Sequence, residues 1–431
     1  MLYNQTLLTM KGWKNMKKAL KGVLCIALCA VMLVCCMSAG ASAYSFRTKY
    51  PFVFVHGLCG WGEDDGAYSF FPYWGMMTGN MLDELEAQGY ECVVASVGTV
   101  SSAWDRACEL YAQLIGGTVD YGAAHSKEHN HARYGKTFDE PIIDKWDSNH
   151  KINLVGHSFG GATTRLFLQL LADGSAAERA ATPEKELSPL FKGGMSDRVY
   201  SLTALAAPHN GTSFFEAGGG LANVMQTIFY YLAGLCATSE LNNLFNPDLD
   251  HFGLTFSEDM TAAEKFKMIM DSDMMKGTDN AFYDLTIDGA AELNETLTIQ
   301  PNVYYYSYAG SKTSLNEETG NQVPERGMNL LFVPFAYLMG RYTGKTAGGF
   351  VIDEKWKEND GLVNTVSALY PFDEPCKVYE SGEKTQPGIW YVMPVEHMDH
   401  LSFSGGMMTV GWADIRLFYT KFMFIVSRSG K

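Results

Sequence analysis

From residue 51 onward, short runs of apolar and β-branched residues alternate with stretches of helical periodicity. Pro51–His56, Glu91–Val97, Lys151–Val155, Val199–Ala206 and Val303–Tyr308 predict strands. Between them, Met81–Gln88, Ala103–Ile115 and Gly160–Ala172 predict helices. Strands that alternate with helices imply a mostly parallel sheet covered by helices on both faces. No internal repeat, low-complexity linker or second composition regime follows residue 44, so the reading is one α/β domain with insertions. Two apolar stretches stand out as insertions. Gly211–Leu235 carries a single charge, Glu216, in twenty-five residues and includes a glycine triplet. It suits either a buried core helix or a mobile lid with an apolar underside, in a lid region of about 211–250. Gly327–Gly340 is the second, placed to border the same pocket.

The first 43 residues are different material. Lys11, Lys14, Lys17, Lys18 and Lys21 precede an apolar run from Gly22 to Met37, which ends in Ser38-Ala39-Gly40-Ala41-Ser42-Ala43. That order predicts a secretory signal peptide over 1–43, cleaved after Ala43, and a single folded domain over 44–431. The apolar run falls short of the roughly 20 residues a spanning helix needs, so no stable membrane anchor is expected. The basic stretch before Met16 leaves Met1 and Met16 both open as the start.

Composition narrows the classes. At 47% hydrophobic, 19% charged and 13% aromatic residues, the 431-residue chain is globular, neither disordered nor collagen-like nor a coiled coil. Its net charge of −15 argues against nucleic acid as a partner, and removing the five leader lysines makes the balance more acidic. Five cysteines remain after the leader, Cys59, Cys92, Cys108, Cys236 and Cys376; scattered and odd in number, they form no disulfide framework or metal knuckle.

The strongest chemical signal is Gly156-His157-Ser158-Phe159-Gly160, preceded by the strand-like KINLV and followed by the helical GATTRLFLQLL. A sharp strand-to-helix turn needs Gly on both sides and lifts the Ser158 hydroxyl to a helix N-terminus, where backbone N–H groups face developing negative charge. A serine hydroxyl needs a base, and the base needs an orienting acid. Asp360, in the turn-forming Glu358-Asn359-Asp360-Gly361, follows the serine in the required order. His397 and His400, in the late loop VEHMDHLS, are equivalent by spacing; His209 lies between nucleophile and acid and so breaks the order. An oxyanion hole would combine the backbone N–H of Phe159 with that of Leu58, in the loop after the first strand. Asp105, His125, His129 and His131 crowd into one short region, the three histidines in the Gly/Ala-rich GAAHSKEHNHARYG. They are either a polar surface loop or ligands that would suit Zn²⁺.

From about Tyr50 to the C-terminal helix the chain resembles the secreted bacterial lipases of the staphylococcal and thermophilic Geobacillus type. The resemblance is carried by HGLCGWG at 56–62, SSAWDRACELYAQLIGGTVDYGAAHSKEHNHARYG at 101–135, GHSFGG, AAPHNGT, WKENDGLVNTVS at 356–367 and MDHLS. It implies an α/β-hydrolase fold and a secreted triacylglycerol lipase acting on lipid esters at an oil–water interface, with a short-chain carboxylesterase or phospholipase as the alternative. It implies Ser158, Asp360 and His400 as nucleophile, orienter and base, and Zn²⁺ held by Asp105, His125, His131 and Asp250, with His129 outside the shell. It also implies that Gly211–Leu235 belongs to the lid. The chain departs from the family pattern at the calcium site and at the residue after the nucleophile. Ser402 stands where the family places a calcium-binding Glu, and Met407-Met408 where it places an Asp-Pro, so calcium is not carried over. Phe159 replaces the usual Gln, a change that spares a backbone N–H.

Overall fold

Along the first core strand the side chains divide by parity: Val53 and Val55 enter one apolar layer, Phe52 and Phe54 another. Period-two alternation with both faces apolar is what a strand between two helical layers requires. The computed structural model describes residues 48–65, 68–69, 71–220, 247–257, 259–406 and 409–431, and Lys49–Lys431 make up one unit.

Seven parallel strands form the central sheet. They are β1 Phe52–Val55, β2 Cys92–Ala95, β3 Ile152–His157, β4 Val199–Leu205, β5 Tyr304–Tyr308, β6 Cys376–Val378 and β7 Trp390–Val392, in the order β6-β7-β5-β4-β3-β1-β2. One face is covered by helices Ala103–Ile115 and Phe159–Asp173 through Ala107, Leu110, Leu114, Leu166, Phe167 and Leu170. The other is covered by Met81–Ala87 and the C-terminal helix Trp412–Ser427 through Leu82, Leu85, Ile415, Tyr419, Phe422 and Val426. Phe54, fully buried between Trp74 and Tyr419 at ring-centroid distances of 5.0 and 6.4 Å, illustrates the second layer. Burial of such a side chain contributes about 1.5–3 kcal/mol.

The five expected strands and three expected helices are all present, their ends within two residues. β6 and β7 were not expected. Each has three residues, and β6 is an exposed edge strand, too short and too polar to leave a hydrophobic pattern. The histidine-bearing region, expected as a loop, contains a short helix, Ala123–His129, whose first amides are held by the Glu178 carboxylate: Ala124 N–H donates at 3.0 Å and His125 N–H at 2.8 Å. Glu178 lies some fifty residues away, beyond the reach of any local pattern. Of the two apolar stretches, Gly211–Leu235 lies outside the described residues from 221 on. Its described part includes a short helix, Phe214–Ala217, and Phe214 meets Phe335 of helix Val333–Met339 edge to face at 4.8 Å. Among the described residues no helix is long and apolar enough to cross a membrane.

The carboxyl ends of β1 and β3 come together. Val55 pairs with Gly156 and His157 with Leu205, so the loops after β1 and β3 emerge side by side, where parallel sheets place their functional sites.

Candidate active site and metal cluster

β3 ends at His157 and the next helix begins at Phe159, so Ser158 makes the turn alone, with φ 56° and ψ −127°. A non-glycine residue in this region is strained and is held there by its surroundings. The space shows why glycines flank it. A Cβ on Gly156 would lie 2.4 Å from the Gly160 carbonyl oxygen, and one on Gly160 would lie 2.2 Å from that of Val55. The reward is position: the Ser158 side chain stands at the N-terminus of a fifteen-residue helix.

His400 meets it from a different part of the chain. Its Nε2 lies 2.8 Å from Ser158 Oγ, and its Nδ1 lies 2.8 Å from Asp360 Oδ2. With a carboxylate as the acceptor, Nδ1 carries the proton and Nε2 presents its lone pair to the serine hydroxyl. The other carboxylate oxygen, Oδ1, accepts from the Leu362 and Val363 N–H groups at 3.0 and 2.8 Å, which fixes the plane of Asp360. All three residues are buried. The two remaining histidines are elsewhere. His397 is exposed and faces Glu325 at 3.0 Å, and His209 is buried against Trp390 with no hydrogen-bond partner on either ring nitrogen.

The loop after β1 packs directly on the serine, since a Cβ on Gly57 would sit 2.7 Å from Ser158 Cβ. The Gly57 N–H donates to Tyr73 Oη at 3.0 Å and the Cys59 N–H to the Thr99 carbonyl at 2.8 Å. Between these two occupied amides lies Leu58, for whose N–H there is no acceptor among the described residues. The Arg106 guanidinium donates to the His56 carbonyl and lies over the Phe159 ring at 4.8 Å, joining the loop to the helix that follows the serine.

The second cluster brings together Asp105, His125, His131 and Asp279, whose candidate ligand atoms all lie within 4.8 Å of one another. His125 Nε2 is 3.2 Å from Asp105 Oδ1 and 3.4 Å from Asp279 Oδ1, and His131 Nε2 is 3.4 Å from Asp279 Oδ2. All these atoms are buried and none has a hydrogen-bond partner. Five convergent, buried, unsatisfied nitrogen and oxygen atoms are costly without a cation and suited to one with mixed N/O preference. Burial would raise both carboxyls, but the imidazoles around them outweigh it and hold Asp105 and Asp279 below their ordinary range. Outer contacts orient the ligands: His251 Nε2 lies 3.1 Å from Asp105 Oδ2, the His131 Nδ1 is 2.8 Å from the Ala132 carbonyl, and His125 stacks on Trp104.

Asp250 requires a correction. It is exposed on the 3-10 turn Asp250–Phe252, and Asp279 takes the fourth place. The neighbour of Asp250, His251, is the residue that points inward, onto Asp105. Asp279 sits in KGTDNAF with no histidine near it in sequence, and its segment is placed by a tertiary contact with the residues just before the Ala103–Ile115 helix: the Ala281 N–H donates to the Val100 carbonyl at 2.9 Å. His129, four residues from His125, is not part of the cluster.

The family model of the lipase-like, C-terminal domain matches residues 48–421. The chain belongs to this family. It is 36% identical over 368 residues to a lipase of Staphylococcus epidermidis, a match that covers 85% of this chain and 51% of that one. The chain thus spans about half the length of the staphylococcal relatives it matches. Among solved structures, EstA from Clostridium botulinum superposes with a TM-score of 0.81 at 35% identity, covering 89% of this chain and 88% of that one. A Staphylococcus hyicus lipase gives 0.75 at 32% identity, covering 88% and 96%. The fold is the α/β-hydrolase fold.

Proposed function

We propose that this family member is a secreted lipase that hydrolyses the carboxylic ester bonds of triacylglycerols. The single observation that carries the reading is the unbroken line Ser158 Oγ, His400 Nε2, His400 Nδ1, Asp360 Oδ2, with 2.8 Å at each hydrogen bond and the serine in a strained turn. His400 takes the Ser158 proton as the oxygen attacks the ester carbonyl, and Asp360 stabilises the imidazolium that results. The Leu58 and Phe159 amides receive the oxyanion. Collapse of the tetrahedral intermediate expels the alcohol, which takes the proton from His400. Water, deprotonated in turn by His400, attacks the acyl-serine; collapse breaks the acyl–Oγ bond, returns the proton from His400 to Ser158 and releases the fatty acid.

An apolar rim supports a lipid surface as the working environment. Phe332 lies against the His400 ring at 6.4 Å, and beside it Leu330 is 85% exposed, with Leu338 and Tyr337 also exposed on the following helix. The leader over 1–43 supports export, with cleavage after Ala43. The Asp105, His125, His131 and Asp279 cluster is read as a structural zinc site, where bound Zn²⁺ would neutralise two buried carboxylates and tie the Ala123–His129 helix to the core. Four protein ligands leave no open position, so none of the steps above passes through the metal.

The test is hydrolysis of tributyrin and triolein emulsions by the chain and by Ser158→Ala. Turnover of both substrates, lost in the variant, is the expected result. Turnover of tributyrin alone would make the protein a short-chain esterase. Equal rates for Ser158→Ala and the parent would overturn the assignment of the nucleophile.

A further inference from the structure

A buried chain of hydrogen bonds with one fixed polarity runs behind the candidate triad. It starts at the Gly57 N–H, which donates to Tyr73 Oη at 3.0 Å. Tyr73 Oη lies 2.6 Å from His157 Nδ1, and His157 Nε2 lies 3.0 Å from the His400 main-chain carbonyl. Both ends dictate direction. An amide N–H can only donate, so Tyr73 accepts there and turns its own O–H toward Nδ1; a carbonyl can only accept, so Nε2 must carry the imidazole proton. The two constraints demand the same neutral tautomer of His157. Burial, with the nearby His400 adding to it, holds this imidazole well below its ordinary value, which keeps it neutral. Tyr73 and His157 are buried, leaving no water to substitute for a lost partner.

The chain touches the three loops that must stay in register. Gly57 precedes the proposed oxyanion amide of Leu58, His157 precedes the nucleophile, and the carbonyl at the far end belongs to the proposed base itself. We infer that Tyr73 and His157 are positioning residues: their one-way hydrogen-bond chain sets the distance between the oxyanion loop and His400. The inference rests on the hydrolase reading above. It predicts an effect on the chemical step with little on substrate affinity, because both side chains are buried and reach the proposed oxyanion loop and His400 only through main-chain atoms.

The experiment compares kcat and KM for tributyrin in the parent, Tyr73→Phe, His157→Gln and His157→Asn, each normalised to sites titrated with a fluorophosphonate, with Tm measured alongside. Tyr73→Phe should lower kcat per titrated site at least tenfold and leave KM within twofold. The Gln side chain carries an N–H to about the position of Nε2 and keeps the donor to the His400 carbonyl, whereas Asn is too short. His157→Gln should therefore keep kcat per site at least threefold above His157→Asn, though below the parent, because it offers Tyr73 no acceptor in place of Nδ1. A lowered Tm with kcat per site unchanged in Tyr73→Phe, or equal kcat for the Gln and Asn variants, would overturn the inference and show a purely structural brace. If the parent is neither labelled nor active, the hydrolase reading fails and this inference fails with it.

Discussion

Asp360 holds His400 at two points: its carboxylate oxygen Oδ2 lies 2.8 Å from the ring Nδ1, and its main-chain carbonyl accepts the His400 backbone N–H at 3.0 Å. The backbone bond places the residue and the side-chain bond selects the tautomer. Asp360→Asn separates the two. The backbone contact survives, and the Asn amide can still accept the Leu362 and Val363 N–H groups, but it then offers an NH₂ to Nδ1. His400 would move its proton to Nε2 and face Ser158 with a donor. The expected result is a folded protein whose kcat for tributyrin falls by about ten-thousandfold with KM nearly unchanged. A loss below tenfold would mean that Asp360 is not the orienting acid.

Much of this arrangement was readable in the chain because it depends on local rules. The turn at Ser158 announces itself through Gly156 and Gly160, whose absent side chains make room for neighbouring carbonyls. The core strands show themselves as apolar runs because both faces are covered. What escaped depends on contacts distant in sequence. Two late histidines three residues apart are equivalent by spacing; the resemblance to known lipases pointed to His400, and the fold puts that ring on Ser158 and leaves His397 on the surface. For the fourth residue of the candidate metal cluster the resemblance points to Asp250, beside a histidine, and that histidine, His251, does face the cluster from the outer side. Asp279 had no such company. Only the packing of its segment against Val100 delivers it, 174 residues after Asp105.

That difference sets up a paired substitution. Asp279→Ala should lose the metal, since it removes a carboxylate that faces both His125 and His131. Asp250→Ala should keep it, because that side chain is exposed and outside the cluster. Elemental analysis of protein purified without chelator should give about one zinc per chain for the parent and Asp250→Ala, and little for Asp279→Ala. Chelation of the parent should lower Tm and added zinc should restore it, because Asp105 and Asp279 otherwise face each other as buried anions. Retention of zinc in Asp279→Ala would return the fourth ligand to another residue.

Gly57→Ala tests the contact between the proposed oxyanion loop and the proposed nucleophile. The added Cβ would stand 2.7 Å from Ser158 Cβ and 3.1 Å from Tyr73 Oη, and none of these atoms lies at the end of a flexible chain. The loop must shift away from the serine, carrying the Leu58 amide with it. Loss of one such donor typically lowers kcat by about a hundredfold to a thousandfold. Titration with a fluorophosphonate separates that effect from misfolding: the sites should still label, only more slowly, and near-parental kcat would show that the loop tolerates the displacement.

Three buried imidazoles make the fold less stable in acid. Burial depresses His56 to about 3 and holds His157 and His209 well below the ordinary 6.5. The Arg106 charge adds to the effect at His56, as the charges of His400 and Arg165 do at His157 and His209. Each is neutral in the folded state, whereas the unfolded chain takes up the proton as pH falls through 6.5. The stability they contribute is therefore complete above about 6.5 and is lost progressively below it. Each group contributes a slope of up to about 1.36 kcal/mol per pH unit below 6.5 while it stays neutral in the folded state, and the buried carboxyls of Glu109 and Asp284, pushed up to about 7 by burial, act in the opposite sense. His209 offers the cleanest check, since neither of its nitrogens has a partner that a substitution would strand. His209→Phe, packed against Trp390 in the same place, should reduce the pH dependence of the unfolding free energy by up to about 1.36 kcal/mol per unit in urea titrations at pH 4, 5 and 6. An unchanged slope would mean that the His209 imidazole is charged in the native protein and that some partner for it forms in solution.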